Sequence, residues 1–408
     1  MSFQGLVQLE DYEQFVGPKT VERIKKKVKA LQHLHVAHIN STYSGGGVAG
    51  LLNSLTLLMN SSGLKTGWRI IHGGPDFFSI TKKMHNALQG GKINLSDLKM
   101  RIYEEVIHEN ALRNHLEHHN MVIIHDPQPL PMIAHYNKKG PWIWCCHVDL
   151  SAPNRKMWQY LTPFIEKYDA AIFSVEDYRQ QLKTPQVFFM PAIDPFSNLN
   201  RAMSEGEIRE RLHHHKIPTD LPLVVQISRF DRWKDPEGVI EAFRLVRKKI
   251  DCTLVLLGNS ATDDPEGAQV YESLLNSREE RIIILSHQDT SLVNALQRTA
   301  AVVLQKSLRE GFGLTVTEAM WKGAAVIGGN VGGIRHQIRN GVNGFLVESV
   351  GEAAERTVQL MKDKKLRLRL GQRAKETVAE RFLLTRYMEQ YLDLFSSFET
   401  VYRLKKKS

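Results

Sequence analysis

Cysteine is scarce: three residues in 408, two of them adjacent as Cys145 and Cys146. That supplies neither a disulfide framework nor thiol pairs at metal-ligand spacing. Long apolar runs are missing as well. None approaches the roughly 20 residues a membrane-spanning helix needs, and the opening MSFQGLVQLEDYEQF lacks the charged, apolar and cleavage regions of a secretion signal. Stable membrane insertion is therefore not expected, and the expected location is the cytoplasm. Aromatic residues do not interleave with the basic runs RIKKKVKA and RLKKKS. A single-stranded nucleic acid would need such stacking platforms, so these runs read as solvated helix faces and no nucleic-acid partner is expected.

What is present suits a two-core protein binding small anions. The length and the 42% apolar content support two or three domains, and the net charge of +10 favours anionic ligands. Short β-branched runs alternate with amphipathic helical stretches, the pattern of parallel sheets covered by helices. HLHVAHIN, WRIIHG, MVIIHD, WIWCCHVD, AAIFSV and VFFMP read as strands of a first series. LPLVVQISRF, CTLVLLGN, RIIILSH, AVVLQKS, AAVIGG and NGFLVE form a second. The reading is an α/β chain of two doubly wound, Rossmann-like domains, 1–195 and 196–384. The polar stretch from Pro191 to Pro222 is the expected hinge, about which the domains would close on a ligand. A C-terminal helix, 385–408, is expected to cross back and brace the first domain. There is no solenoid-type repeat and no low-complexity segment.

Doubly wound sheets bind ligands where strands end and helices begin. Gly45, Gly46 and Gly47 follow the first strand, where they let backbone amides approach an anion or simply make a tight turn. In ISRFDRWKDPEG, Arg229 ends a strand and Lys234 precedes a helix opened by Asp235 and Pro236. A fork and a point charge on one loop can clamp a diphosphate, or merely keep the surface soluble. In KSLREGFGLTVTEAMWKG, Glu310 precedes the Gly311–Gly313 turn and Glu318 lies inside the next helix. The amides of Phe312, Gly313, Leu314 and Thr315 open that helix. Carboxylates so placed cannot share one proton and are expected to hold different parts of one extended ligand.

Histidine is plentiful, yet the run 213–215 sits in the expected hinge without acidic or cysteine partners at ligand spacing, so no metal is expected. His115, His118 and His119 read as solvated. Trp142, Trp144 and Trp158 are divided between sugar stacking and core packing, with core packing expected of at least two.

At these residues the chain resembles family 4 of the retaining glycosyltransferases, whose fold is called GT-B. The matching marks are Glu310 and Glu318 in an E-x7-E motif, Arg229 with Lys234, the Gly45–Gly47 loop and GGNVGG, in order along the whole chain. HINSTYSGGGVAGLLNSL, HDPQPL, WCCHVDLSAPN and QISRFDRWKD look more closely like the trehalose glycosyltransferring synthases and related trehalose phosphorylases. The resemblance implies that glucose moves reversibly from UDP-, ADP- or GDP-glucose to glucose, without a further cofactor. It implies that Glu318 holds the ribose, Glu310 the donor sugar, Arg229 and Lys234 the diphosphate, with Gly46 and Gly47 approaching it. His147 would lie by the donor sugar. Asn40, Ser41, Asp126, Gln128, Asp149, Asn154 and Arg155 are the expected acceptor side, although caps and turns use the same residue types. Backbone groups near Leu257–Ser260 and Leu285–Gln288 are the expected base contacts. A homodimer is the ordinary expectation for such an enzyme. Phosphorolysis, a lipid acceptor, epimerisation and noncatalytic sensing are the alternative readings.

Overall fold

The computed structural model describes residues 6–43, 46–94, 96–258, 267–277 and 279–405, with side chains through residue 400. The chain forms two units, Met1–Ser44 with Val48–Ala192 and Leu384–Ser408, and Gly45–Gly47 with Ile193–Leu383. Asn259 and Ser260, among the expected base contacts, lie outside the described residues.

Six strands build the first sheet: β1 (His35–Asn40), β2 (Lys65–Ile70), β3 (Met121–His125), β4 (Trp142–Cys146), β5 (Ala170–Phe173) and β6 (Gln186–Phe188). They pair in parallel in the order β2-β1-β3-β4-β5-β6. Parallel strands buried on both faces need apolar or hydrogen-bonded side chains on both. On one face Ala37, Ile39, Val122, Ile124, Trp142 and Trp144 pack against Phe77, Met84, Tyr103, Ile107 and Met157 of three helices. Trp142 and Trp144 are therefore core, as expected, and only Trp158 is half-buried.

The other face of this sheet carries His38, His125 and Cys145, because alternate residues along a strand share a face and paired residues match across it. It meets the C-terminal helix Leu384–Lys405, whose Tyr391 ring lies 5.6 Å from that of His38. The same helix uses the basic run near the N-terminus. Arg23 donates to both oxygens of Glu389 at 2.6 and 2.9 Å, and Lys27 lies 2.6 Å from Asp393. The run is thus a partnered helix face, not a wholly solvated one. Arg23 is half exposed, which keeps its pair to about 1 kcal/mol or less.

The second sheet contains β7 (Leu223–Ile227), β8 (Thr253–Gly258), β9 (Ile282–Ser286), β10 (Val302–Gln305), β11 (Val326–Gly329) and β12 (Phe345–Val347). These also run parallel, in the order β12-β11-β10-β7-β8-β9. Alternate residues feed two cores: Val224, Leu254 and Leu256 face one, and Val225, Val255 and Leu257 the other. Among the described residues no helix is long and apolar enough to cross a membrane.

Two histidine readings need correction, and the expected hinge carries regular structure. The stretch read as a hinge contains the helix Glu205–His214, started by a capping box between Ser204 and Glu207. His215, at the end of that helix, does have an acidic partner, Asp289 Oδ2 at 3.1 Å. His119 is buried rather than solvated, its ring 4.2 Å from that of His35, and burial pushes its pKa down to about 4. His115 and His118 are exposed.

Candidate active site

In the second unit the two candidate loops are tied to each other. After β7 the chain turns through Arg232–Lys234 into Asp235, whose φ is +53° and whose carboxylate caps the helix Pro236–Arg247 by accepting from Gly238 N at 3.2 Å. Gln226, on β7, donates to Lys234 O at 2.8 Å and fixes the turn. The loop after β10 joins it: Leu308 N donates to Trp233 O at 2.8 Å, and Lys306 pairs with Asp235.

This frame aims Lys234 at Glu310. Lys234 Nζ donates to Glu310 Oε2 at 2.6 Å, and Ser307 Oγ donates to the same oxygen at 3.3 Å. Glu310 is buried, so the ammonium and the hydroxyl offset the cost of removing its charge from water. Arg229 lies beside Asp231 at 3.6 Å.

Beyond Glu310 the backbone turns at Gly313, φ +87°, into the helix Leu314–Trp321 with no side-chain cap. The buried Phe312 packs on Phe382 at 5.7 Å between ring centres, and its carbonyl accepts from Gln337 at 2.6 Å. GGNVGG has a packing reason here: a Cβ at Gly329 would stand 2.4 Å from Ser307 O, and one at Gly333 2.4 Å from Phe312 Cα. Gly313 combines both constraints, since a Cβ there would also lie 3.1 Å from Glu310 Cγ. Gly313→Ala is expected to cost about 1–2 kcal/mol from the left-handed backbone alone. It should lower the denaturant midpoint while also displacing Glu310; an unchanged midpoint would show that the turn relaxes freely.

Glu318 is buried one turn into that helix, and burial holds its carboxyl above the usual range against the pull of Lys322. Burial pushes Lys322 down to about 7, opposed by Glu318. Lys322 Nζ donates to Gln297 Oε1 at 2.7 Å and Asn200 Oδ1 at 3.0 Å. Glu310, Phe312, Gly313, Leu314, Thr315 and Glu318 lie along one segment, which Lys234 joins through Glu310. Gly46 and Gly47 belong to the short piece Gly45–Gly47 of the same unit, and both are exposed.

In the first unit His147 follows β4. Its backbone N–H donates to Asp126 Oδ1 at 2.7 Å, and Asp126 O accepts from Trp144 Nε1 at 3.0 Å. Asp126, with φ +63°, is therefore a brace for the His147 turn. Burial opposes charge on His147, but Cys145 and Asp126 outweigh it and lift its pKa to about 9. His147 Nε2 lies 3.0 Å from His125 Nδ1 and 3.4 Å from Cys145 Sγ.

The expected acceptor residues divide. Asn40 accepts from Trp68 Nε1 and donates to Thr42 O, each at 2.8 Å. Asp149 accepts from Ser151 N and Oγ at 2.9 and 2.6 Å, and Asn154 caps the helix Arg155–Ile165. These three hold local turns. Ser41 is half-buried and Arg155 exposed. Gln128 is buried with its Oε1 lacking a hydrogen-bond partner among the described residues, so it retains an unused acceptor.

Sequence reasoning missed His38, His125 and Cys145. Three donor atoms from His125, Cys145 and His147 lie within 4.8 Å of one another, a set a soft cation can use. The two imidazole nitrogens, however, face each other along the line joining the rings. Ligands of one ion converge on it instead.

The family described as trehalose synthase, N-terminal domain, matches residues 38–180, and glycosyl transferases group 1 matches residues 207–377. A trehalose synthase of Thermococcus litoralis is 44% identical over 400 residues, 96% of this chain and 97% of that protein. A trehalose phosphorylase of Pleurotus pulmonarius is 26% identical over 83% of this chain but only 54% of its own length. Among solved structures, an Anabaena protein in complex with UDP and glucose aligns with TM-score 0.67 and 16% identity, over 90% of this chain and all of that one. That likeness is one of fold, two parallel-sheet α/β domains of the GT-B type.

Proposed function

The chain belongs to the trehalose synthase family, and from that premise we propose that it moves glucose from a nucleoside diphosphate glucose to free glucose, reversibly forming trehalose. The observation that carries this is the Lys234–Glu310 pair at 2.6 Å beside the Gly313 turn. An arriving diphosphate competes for the ammonium, and the released carboxylate oxygen then accepts hydrogen bonds from hydroxyls of the donor sugar. Arg229 and the amides of Phe312 to Thr315 add positive potential for the same diphosphate. Glu318 holds the ribose, His147 meets the donor sugar, and Gly46 and Gly47 approach the diphosphate. On the acceptor side Gln128, with its unused acceptor, Arg155 and Ser41 bind the sugar, while Asn40, Asp126, Asp149 and Asn154 hold the turns that surround it. No resident metal or cofactor enters this scheme.

The charges set the mechanism. As the C1–phosphate oxygen bond breaks, positive charge grows on the ring and negative charge on the departing diphosphate. Fixed cations there stabilise the transition state more than the ground state. The acceptor hydroxyl oxygen bonds to C1 on the same face, and its proton passes to the departing phosphate oxygen. Retention follows without an enzyme nucleophile, so Glu310 orients the sugar and does not attack it. A glycosyl adduct trapped on Glu310 would overturn that role.

Full-length similarity to synthases, against half-length similarity to phosphorylases, supports the synthase reading. The test incubates purified protein with trehalose plus either a nucleoside diphosphate or inorganic phosphate and separates the products. Nucleotide-glucose and glucose are expected from the first mixture. Glucose 1-phosphate from the second alone would make it a phosphorylase instead.

A further inference from the structure

Behind His147 stands a row of histidines that the proposed reaction does not use. His38 lies on β1, His125 ends β3 and His147 follows β4, three strands that are neighbours in the sheet. Asn40 pairs with His125's position by extension of the β1–β3 register, and His125 pairs directly with Cys145. Each step of the row therefore moves one strand across and two residues toward the strand ends, staying on one face. His38 and His125 are fully buried.

The ring geometry is that of a hydrogen-bonded chain. His38 Nδ1 lies 2.9 Å from His125 Nε2, with ring centres 5.2 Å apart. His125 Nδ1 lies 3.0 Å from His147 Nε2, with ring centres 5.3 Å apart and planes 9° from parallel. In both cases the centre separation exceeds the N···N distance by little more than one imidazole radius at either end. The nitrogens thus point at each other, as a donor and a lone pair do, and the gap is too short for an ion between them.

Each neutral imidazole offers one N–H and one lone pair, so the row has only two neutral polarities. If every N–H points toward His147, the buried atom His38 Nε2, which has no hydrogen-bond partner among the described residues, is a bare acceptor; if every N–H points away, that atom is an orphaned N–H. Buried N–H groups are the rarer and costlier orphans, which selects the first polarity. His125 then donates to Nε2 of His147, and the proton of His147 sits on Nδ1. Below about pH 9 His147 is cationic: its Nε2–H donates inward, the row reverses with an N–H on His38 Nε2, and Nδ1 carries a proton in that form as well; above that pH the neutral row takes the first polarity and Nδ1 keeps its proton. Cys145, Asp126 and Tyr391 are the other titratable groups packed around the row. Of these, Tyr391 contacts Cys145 Sγ at 3.8 Å, and Cys145 Sγ in turn lies 3.4 Å from His147 Nε2, where a thiol S–H can only donate to the same lone pair that His125 Nδ1–H meets.

We propose that His38 and His125 are positioning residues that commit Nε2 of His147 to the interior and leave its Nδ1 a permanent N–H donor toward a sugar hydroxyl oxygen. The destination of that hydrogen bond rests on the proposed function; the tautomer does not. A histidine free to take either tautomer would present a lone pair to the substrate part of the time.

Full-length protein labelled with ¹⁵N-histidine tests this by two-bond proton–nitrogen correlation spectra, with signals assigned from single-site variants. Nitrogen–nitrogen couplings across both N···N contacts and a proton on His147 Nδ1 are expected. Above about pH 9, where His147 is neutral, its signals in His125→Leu should report mixed tautomers, and kcat measured there should fall about tenfold, the loss of one buried hydrogen bond, with KM for the donor nearly unchanged. His125→Asn places an amide where Nδ1 stood and should restore the single tautomer and most of kcat. A wild-type His147 protonated on Nε2 alone, a lone Nδ1 tautomer persisting in His125→Leu, or one equivalent of tightly bound metal in the purified protein would each overturn the proposal. Should His125→Leu not fold, the wild-type couplings decide. Absence of all glycosyl transfer would reject the proposed function while the spectra still judge the row.

Discussion

Lys234→Ala is expected to lower kcat by about a thousandfold, the scale of losing a preorganised group that faces charge growing in the transition state. In the proposed mechanism Lys234 meets that charge, and its place is set before any ligand arrives: Gln226 fixes its backbone carbonyl, and Glu310 holds its ammonium at 2.6 Å. The departing diphosphate is more negative in the transition state than in the bound donor, so the lysine contributes more there than to donor binding. KM for the donor should therefore rise less than kcat falls. Lys234→Arg should not restore the rate, because a planar fork cannot replace a point charge at a single carboxylate oxygen. Steady-state kinetics in the synthetic direction checks this, and a loss below about tenfold would remove Lys234 from the transition state.

Much of this frame was legible in the residues. Both sheets could be read from β-branched runs at helical spacing, because parallel strands buried on two faces advertise themselves by composition. Glu310, Gly313 and Glu318 were legible from the turn-then-helix pattern that separates them. What escaped notice depends on register. HLHVAHIN, MVIIHD and WIWCCHVD each carry a histidine at or near a strand end, yet only the pairing of β1 with β3 and β3 with β4 puts the rings in line. Local hydrogen-bond use was equally hidden: Asn40, Asp149 and Asn154 have the side chains of sugar ligands and are largely occupied by turns. The helix Glu205–His214 was masked by its polarity, since only Leu212 on it is buried. A helix that buries one residue fully, with Ile208 partly buried beside it, gives little apolar stripe to read.

Glu318→Ala should act on a different quantity from Lys234→Ala, weakening nucleoside diphosphate binding about a hundredfold through two lost hydrogen bonds to a charged acceptor. The effect depends on pH in a definite direction. Burial raises the Glu318 carboxyl above its ordinary value, and the acid form cannot accept two hydroxyl protons as well as the carboxylate can. Nucleotide affinity of the wild type should thus rise as pH climbs through that raised pKa, whereas the Ala variant should show no such rise. Stability moves by the same linkage. Lys322 is depressed to about 7 in the fold, so the unfolded chain binds more protons between that pH and the ordinary lysine value, and stability from this group grows as pH rises through the interval. The raised Glu318 works oppositely, its contribution being lost as pH rises from the ordinary carboxylate value through its folded one. Removing Glu318 takes away the negative partner that holds Lys322 up, which lowers the lysine further and widens its window. Titration calorimetry of both proteins at several pH values separates the two effects, and equal affinities would remove Glu318 from the ribose.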